Sequence, residues 1–187
     1  MLTDGGREPD SEDVPGAGEG AGSPPEELLV SAGVLGEDPE GSDLRLTPAF
    51  ERAWMDRIEQ MRGGDRAVRW LAASRGVDPE DLTVTESEDR FAVELDGSPI
   101  QEWPSEASFL AGIVAVPTLK EWLPDDRWEG LAAELREGLV PQLMLFLEAC
   151  PACDGRLDFT EEVTDGSVHL LLECPDCGAT LLEGEYG

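Results

Sequence analysis

Cys150-Pro151-Ala152-Cys153, then twenty residues, then Cys174-Pro175-Asp176-Cys177-Gly178: these two motifs contain all four cysteines of the chain. A CxxC pair puts two thiolates on one tight turn. A spacer of this length lets a second turn face the first, so that four sulfurs can close a tetrahedron around one metal ion. Between the motifs, Leu157, Phe159 and Val163 fall on one expected strand face, and Asp165-Gly166 marks a two-residue hairpin turn. Val168 to Glu173 then leads back to the second motif, and Ala179 to Leu182 reads as a third short strand.

The two CPxC motifs and Gly178 resemble the knuckles of the zinc ribbon, or rubredoxin-like, family, over about a fifth of the chain. The resemblance implies a metal site made by Cys150, Cys153, Cys174 and Cys177 within a module spanning residues 150–187. In the family a glycine follows the second cysteine of each knuckle, as Gly178 does here. The first knuckle has Asp154-Gly155 instead, which reads as a glycine displaced by one. Four thiolates leave no open position for a catalytic water, so one structural Zn²⁺ is expected rather than a catalytic metal or an electron-transferring iron. Zinc supplies roughly 10–16 kcal/mol to such peptides, more than a short hairpin gains from apolar burial. A dithiol-redox role needs a helix N-terminus or a nearby cation to hold a thiolate, whereas Glu173 and Asp176 adjoin the second pair.

Ahead of Cys150 the fold class expected is α+β: a mainly helical domain over residues 25–149 with a small β-hairpin, preceded by an acidic tail over 1–24. The tail holds glycine, proline, serine and carboxylates with little to bury, so it is expected to be disordered. Its Gly16–Gly22 stretch lacks the preceding strand and following lysine of a phosphate loop. Pro24-Pro25-Glu26-Glu27 opens a helix that Gly33 and Gly36 break, and Leu44-Arg45-Leu46 alternates like a strand. Thr47-Pro48 is an N-cap followed by proline at the first helical position. That helix runs to about Arg62 with Phe50, Trp54, Ile58 and Met61 on one face. Gly63-Gly64 ends it, Asp65 caps a second helix, and Gly76 closes that one, making a helical hairpin.

Leu82–Thr85 and Arg90–Leu95 alternate in period two and predict a β-hairpin packing either Phe91, Val93 and Leu95 or the alternate set on the helices. Ser105 starts a buried helix that Pro117 ends or kinks. From Asp125 or Asp126 one long helical stripe of Trp128, Leu131, Ala132, Leu135, Leu139, Leu143, Phe146 and Leu147, kinked at Gly138 and Pro141, leads straight into Cys150 as a rigid lead-in.

The chain's 187 residues include 42 acids against 13 lysines and arginines, a formal charge of −29. Such a surface repels itself in dilute buffer, but at about 1 M salt the Debye length is only about 3 Å and the repulsion is screened. The composition resembles that of cytosolic proteins of salt-accumulating archaea, and a halophilic archaeal source is expected. No run approaches the ~20 apolar residues of a membrane span. Met1-Leu2-Thr3-Asp4-Gly5 lacks the cationic start of a secretory signal, so a cytoplasmic protein is expected. In a reducing compartment, paired CxxC motifs favour metal over disulfides.

Candidate chemistry elsewhere is sparse. His169, the only histidine, faces opposite to Val168 and Leu170 and is expected on a strand surface. Carboxylate pairs such as Asp125-Asp126 and Glu161-Glu162 are ordinary solvated surface in so acidic a chain. From residue 150 on, nine acids face Arg156 alone, and phosphate contact needs cations. The one basic island is Arg45, Arg52, Arg57, Arg62, Arg66, Arg69 and Arg75, net +3 against its four acids. Helical spacing lets Arg62, Arg66 and Arg69 share one side. Solvated surface and intramolecular ion pairs are the expected use of the island, with a docking face for nucleic acid or an acidic partner as the alternative. Arg52 is expected to pair with Asp56 four residues on.

Three functions follow. The first is a non-enzymatic zinc-binding adaptor or regulatory protein with a protein partner. The second is a transcription-associated nucleic-acid binder using residues 45–75, where Leu28–Leu35 and Leu44–Thr47 also resemble the recognition-helix end and wing of a winged-helix domain. The third is an enzyme whose site in the helical domain the sequence does not expose.

Overall fold

The computed structural model describes residues 25–39, 41, 43–87 and 90–186. The expected tail, 1–24, and with it the two helices a winged-helix domain would need ahead of Leu28, lie outside the described residues. The fold is α+β: six α-helices and three antiparallel sheets among the described residues. Helix α1 (Pro25–Ser31) leads into a hairpin of β1 (Leu35–Glu37) and β2 (Leu44–Leu46). Helices α2 (Pro48–Met61) and α3 (Arg66–Arg75) follow, then a sheet of β3 (Leu82–Ser87), β4 (Arg90–Leu95) and β5 (Ser98–Trp103) in that order. Next come α4 (Glu106–Trp122), α5 (Asp125–Gly130) and α6 (Ala133–Met144). The last sheet has the order β6 (Asp158–Thr164), β7 (Ser167–Glu173), β8 (Thr180–Tyr186).

The core is built around α4, which is apolar on nearly every side. Phe109, Leu110, Ala111, Val114, Ala115 and Leu119 are all buried. Helix α2 lays Phe50, Trp54 and Ile58, each 0% exposed, against it. The Trp54 indole would carry an unpaired donor into that core. Instead Nε1 donates to the Ala111 carbonyl at 3.1 Å, tying α2 to α4. From the other side the sheet contributes Phe91 and Trp103, whose rings meet Phe109 at 4.7 and 4.8 Å. The expected strand face does pack inward, with Phe91 and Val93 buried and Leu95 partly so. The same core continues through Leu147, Cys150, Leu157, Leu172, Cys174 and Leu181, so the C-terminal module shares it.

Several boundaries differ from the expectation. Strand β5 is absent from the sequence pattern, because Pro99 and polar residues mask it. It forms at a sheet edge, where a missing N–H is tolerated, and Asp96-Gly97, both at positive φ, make the two-residue turn into it. Pro117 does not end α4. Burial of Val114, Thr118 and Leu119 on the turns around it outweighs a cost of about 3 kcal/mol, and the Thr118 hydroxyl donates to the Val114 carbonyl at 2.7 Å.

The single long stripe from Asp125 is two helices. It breaks at Leu131 and Ala132, which are extended, just after Gly130, a poor helix former. Leu135, expected inside, is 43% exposed. Helix α6 passes through Pro141 and stops at Met144. The Phe146 and Leu147 amides then bond three residues back in tightened turns, so the lead-in to Cys150 is a turn rather than a rigid rod. Asp65 precedes α3 without a side-chain capping bond and pairs with Arg69 instead, and Arg52 and Asp56 are not joined by an ion pair within 4 Å.

Thr47 is the cap the sequence indicates, and it serves twice. Its Oγ1 accepts from the Phe50 amide at 3.4 Å and donates to the Gly33 carbonyl at 2.5 Å, pinning α2 to the loop after α1. Thr47→Ala is expected to destabilise the chain by about 1 kcal/mol, read as a lowered denaturation midpoint, with Thr47→Ser close to the parent.

Candidate metal centre

The two knuckles are built alike. Cys150 N donates to Gly155 O at 2.7 Å and Asp154 N to Cys150 O at 2.9 Å. In the second knuckle Cys174 N donates to Ala179 O at 2.9 Å and Gly178 N to Cys174 O at 2.8 Å. Each turn buries its first cysteine and exposes its second. The turns are held at the right separation because the β6–β7 hairpin starts from one and returns to the other, with Asp158 opposite Glu173. Asp165 and Gly166, at φ 53° and 91°, form the expected hairpin turn. Strand β8 is longer than expected, and of the face anticipated from Leu157, Phe159 and Val163 only Leu157 is buried.

All four Sγ atoms lie within 4.8 Å of one another. Cys150 and Cys177 are 3.7 Å apart and Cys153 and Cys174 3.5 Å. A sulfur–sulfur bond is about 2.0 Å, so these are not disulfides. Four sulfurs at about 2.3 Å around a tetrahedral ion are about 3.8 Å apart, so the arrangement fits a metal ion. The Ala152 and Gly155 amides point at the Cys150 and Cys153 sulfurs at 3.4 Å, as donors suited to thiolates. The two buried thiols, Cys150 and Cys174, differ. Burial pushes Cys150 up to about 12. Burial acts upward on Cys174 as well, but the Cys177 and Asp176 amides and the Cys153 thiol hold it below its ordinary value. A metal must therefore displace a tightly held proton from Cys150.

The first knuckle departs from the displaced-glycine reading. Asp154, not Gly155, takes the left-handed turn, at φ 62° against 73° for Gly178. That conformation costs a residue with a Cβ about 1–2 kcal/mol, less for aspartate than for most. Gly155 is needed for a different reason, since an added Cβ would collide with the carboxylate of Asp176 in the opposite knuckle.

Arg62, at the C-terminal end of α2, holds Asp154 in place. Its Nη1 and Nη2 grip the two carboxylate oxygens at 2.7 and 2.6 Å, while Nε donates to the Pro151 carbonyl at 2.6 Å and Nη2 to that of Cys150 at 3.3 Å. This fork-on-fork bond keeps the Asp154 carboxyl below its usual range. A second tie runs from Ser105, the N-cap of α4, whose hydroxyl donates to the Thr180 carbonyl at 2.5 Å.

Arg62, Arg66 and Arg69 have different partners within the chain. Arg62 is spent on the knuckle, Arg69 pairs with Asp65 at 2.5 Å, and Arg66 reaches the Gln60 carbonyl at 3.4 Å. Elsewhere in the basic island Arg57 pairs with Glu121, Arg45 approaches Asp38 at 3.9 Å, and Arg75 bonds Gln101 at 2.8 Å. His169 is exposed on β7, with Glu185 across the strand at 4.0 Å.

Residues 24–143 match the family described as "Family of unknown function (DUF8054) central domain", and residues 148–184 match its C-terminal domain. No curated protein and no solved structure matches the chain.

Arg62→Ala is expected to leave the metal bound but loosen it, with faster loss to a chelator and faster amide exchange over residues 150–157. Arg62→Lys is expected not to restore it, because an ammonium cannot make the two-pronged bond. In the parent, affinity for added Zn²⁺ falls as pH falls from 8 to 6, since protons compete for the thiolates. Competition titrations against a chromophoric chelator at both pH values measure this.

Proposed function

The chain belongs to the DUF8054 family, and from that premise we propose that it is a non-enzymatic zinc-binding adaptor or regulatory protein. The observation that carries this reading is the four-cysteine site: all four positions of a tetrahedral ion are filled by protein sulfur, and the central domain's own arginine clamps the first knuckle. Zn²⁺ suits it, being a redox-inert ion that favours four thiolates in a closed tetrahedron. When bound, it supplies folding energy to the hairpin and no reactive centre.

Two further observations support the reading. A cleft of about 790 Å³ between α4, α6, β5 and β8 is lined by Trp103, Val116, Trp128 and Met144 without a histidine or cysteine. The arginines that would serve a nucleic-acid binder are mostly engaged within the chain, which favours a protein partner. No described helix is long and apolar enough to cross a membrane.

Affinity capture from cells with the full chain as bait, washed at molar KCl with and without nuclease, tests the partner class. Protein recovered equally in both arms is the expected result. Recovery that vanishes with nuclease instead favours the nucleic-acid reading. Elemental analysis of the purified chain is expected to give about one zinc per chain, whereas iron with a visible charge-transfer band would overturn the assignment of the metal.

A further inference from the structure

Resting on the adaptor reading, we propose that β6, the outer strand of the ribbon sheet, takes an extended basic segment of a partner protein as a fourth strand. Among the described residues β6 has one neighbour, β7, and all seven of its own residues are exposed. An open edge offers unpaired N–H and C=O groups to any extended chain, and proteins ordinarily block it with lysine, proline or a bulge. β6 has no lysine and no proline, and its pairing with β7 runs from Asp158 to Thr164 without a register shift.

Phe159 and Val163, 51% and 69% exposed, are the two most exposed large apolar residues described, and period-two alternation puts both on one side of β6. Across the ladder that side continues into Leu172, Leu170 and Val168, of which only Leu172 is buried. An apolar strip on a free edge in so charged a protein marks an interaction surface.

Charge decides the occupant. Glu161 stands between Phe159 and Val163, and Asp158 and Glu162 occupy the other side of the strand. An added strand would therefore place apolar residues beside Phe159 and Val163, and lysine or arginine beside Glu161, Asp158 and Glu162. Opposite charges facing each other across strands stabilise, and like charges destabilise. A second copy of this chain fits poorly, since the antiparallel register overlapping all seven residues sets Glu161 against Glu161. The chain's own residues 1–24 fit no better, with six acids and one arginine. The backbone groups give affinity and the alternating side chains give specificity, as in other strand-addition sites.

The test uses the full zinc-loaded chain and a fluorescent ten-residue peptide alternating valine or leucine with lysine or arginine, at fixed ionic strength. Saturable binding is expected, with slowed amide exchange within residues 158–164. Phe159→Ser with Val163→Ser, and Glu161→Lys with Glu162→Lys, are each expected to weaken it at least about tenfold. These side chains are exposed, so zinc content and thermal midpoint should hold. Val84→Ser, on the edge strand β3, is expected to change nothing. Equal binding by the variants, equal binding of a peptide with glutamate in place of its cations, or protection mapping elsewhere overturns the proposal. Self-association that the Phe159/Val163 variant abolishes also overturns it, making the occupant a second copy. Affinity capture is run in parallel. A partner retained by the Phe159/Val163 variant overturns the edge proposal and leaves the adaptor reading standing. Failure of the parent to capture any protein overturns the adaptor reading, and the proposal with it.

Discussion

The bond between the Arg62 guanidinium and the Asp154 carboxylate joins the end of α2 to the turn that presents Cys150 and Cys153. It ties the cysteine ribbon to the central domain. A metal–thiolate ribbon with nine acids and one arginine of its own is short of positive charge. Arg62 brings that charge from the central domain and also binds the backbone carbonyls of Pro151 and Cys150. The same contact offsets the strain of placing aspartate where the second knuckle has Gly178. A ribbon assembled by itself would favour glycine at that turn, so Asp154 marks a knuckle adapted to being docked.

The docking makes the two matched domains share one interior. Leu157, Leu172, Leu181 and the buried cysteines continue the core that α4 organises, and Ser105 ties the start of α4 to β8. A metal that closes the ribbon therefore also supports the C-terminal wall of the larger domain. Among the described residues nothing pairs with the outer edge of the ribbon: β6 is the strand farthest in sheet order from β8 and is exposed throughout. A stiff module with one side docked and the other open is well suited to presenting a strand to something else.

Legibility in the sequence followed the range of the forces. The Thr47 cap, the stripe of Phe50, Trp54 and Ile58, the Asp165-Gly166 turn and the β3–β4 alternation are local patterns, and each appears where the residues place it. Pro117 and Pro141 lie inside α4 and α6, because proline's local cost is fixed while the burial around it is not. Strand β5 was hidden because an edge tolerates Pro99, and edge position is a property of the sheet. The long stripe after Asp125 misled in the opposite direction: periodicity persisted through Leu131 and Ala132, although the backbone there is extended.

The four cysteines of the candidate metal centre were legible in the sequence itself, because two CxxC turns separated by a hairpin's length can bring four sulfurs together. The acidity of the ribbon was likewise visible in composition. The use of Arg62 was decided only by the tertiary structure. Read along the chain, it belongs to a basic island with Arg66 and Arg69; in space it lies against a knuckle about 90 residues away in sequence. A guanidinium at the end of a helix binds whichever carboxylate folding brings within its reach, and no local pattern records which one that is.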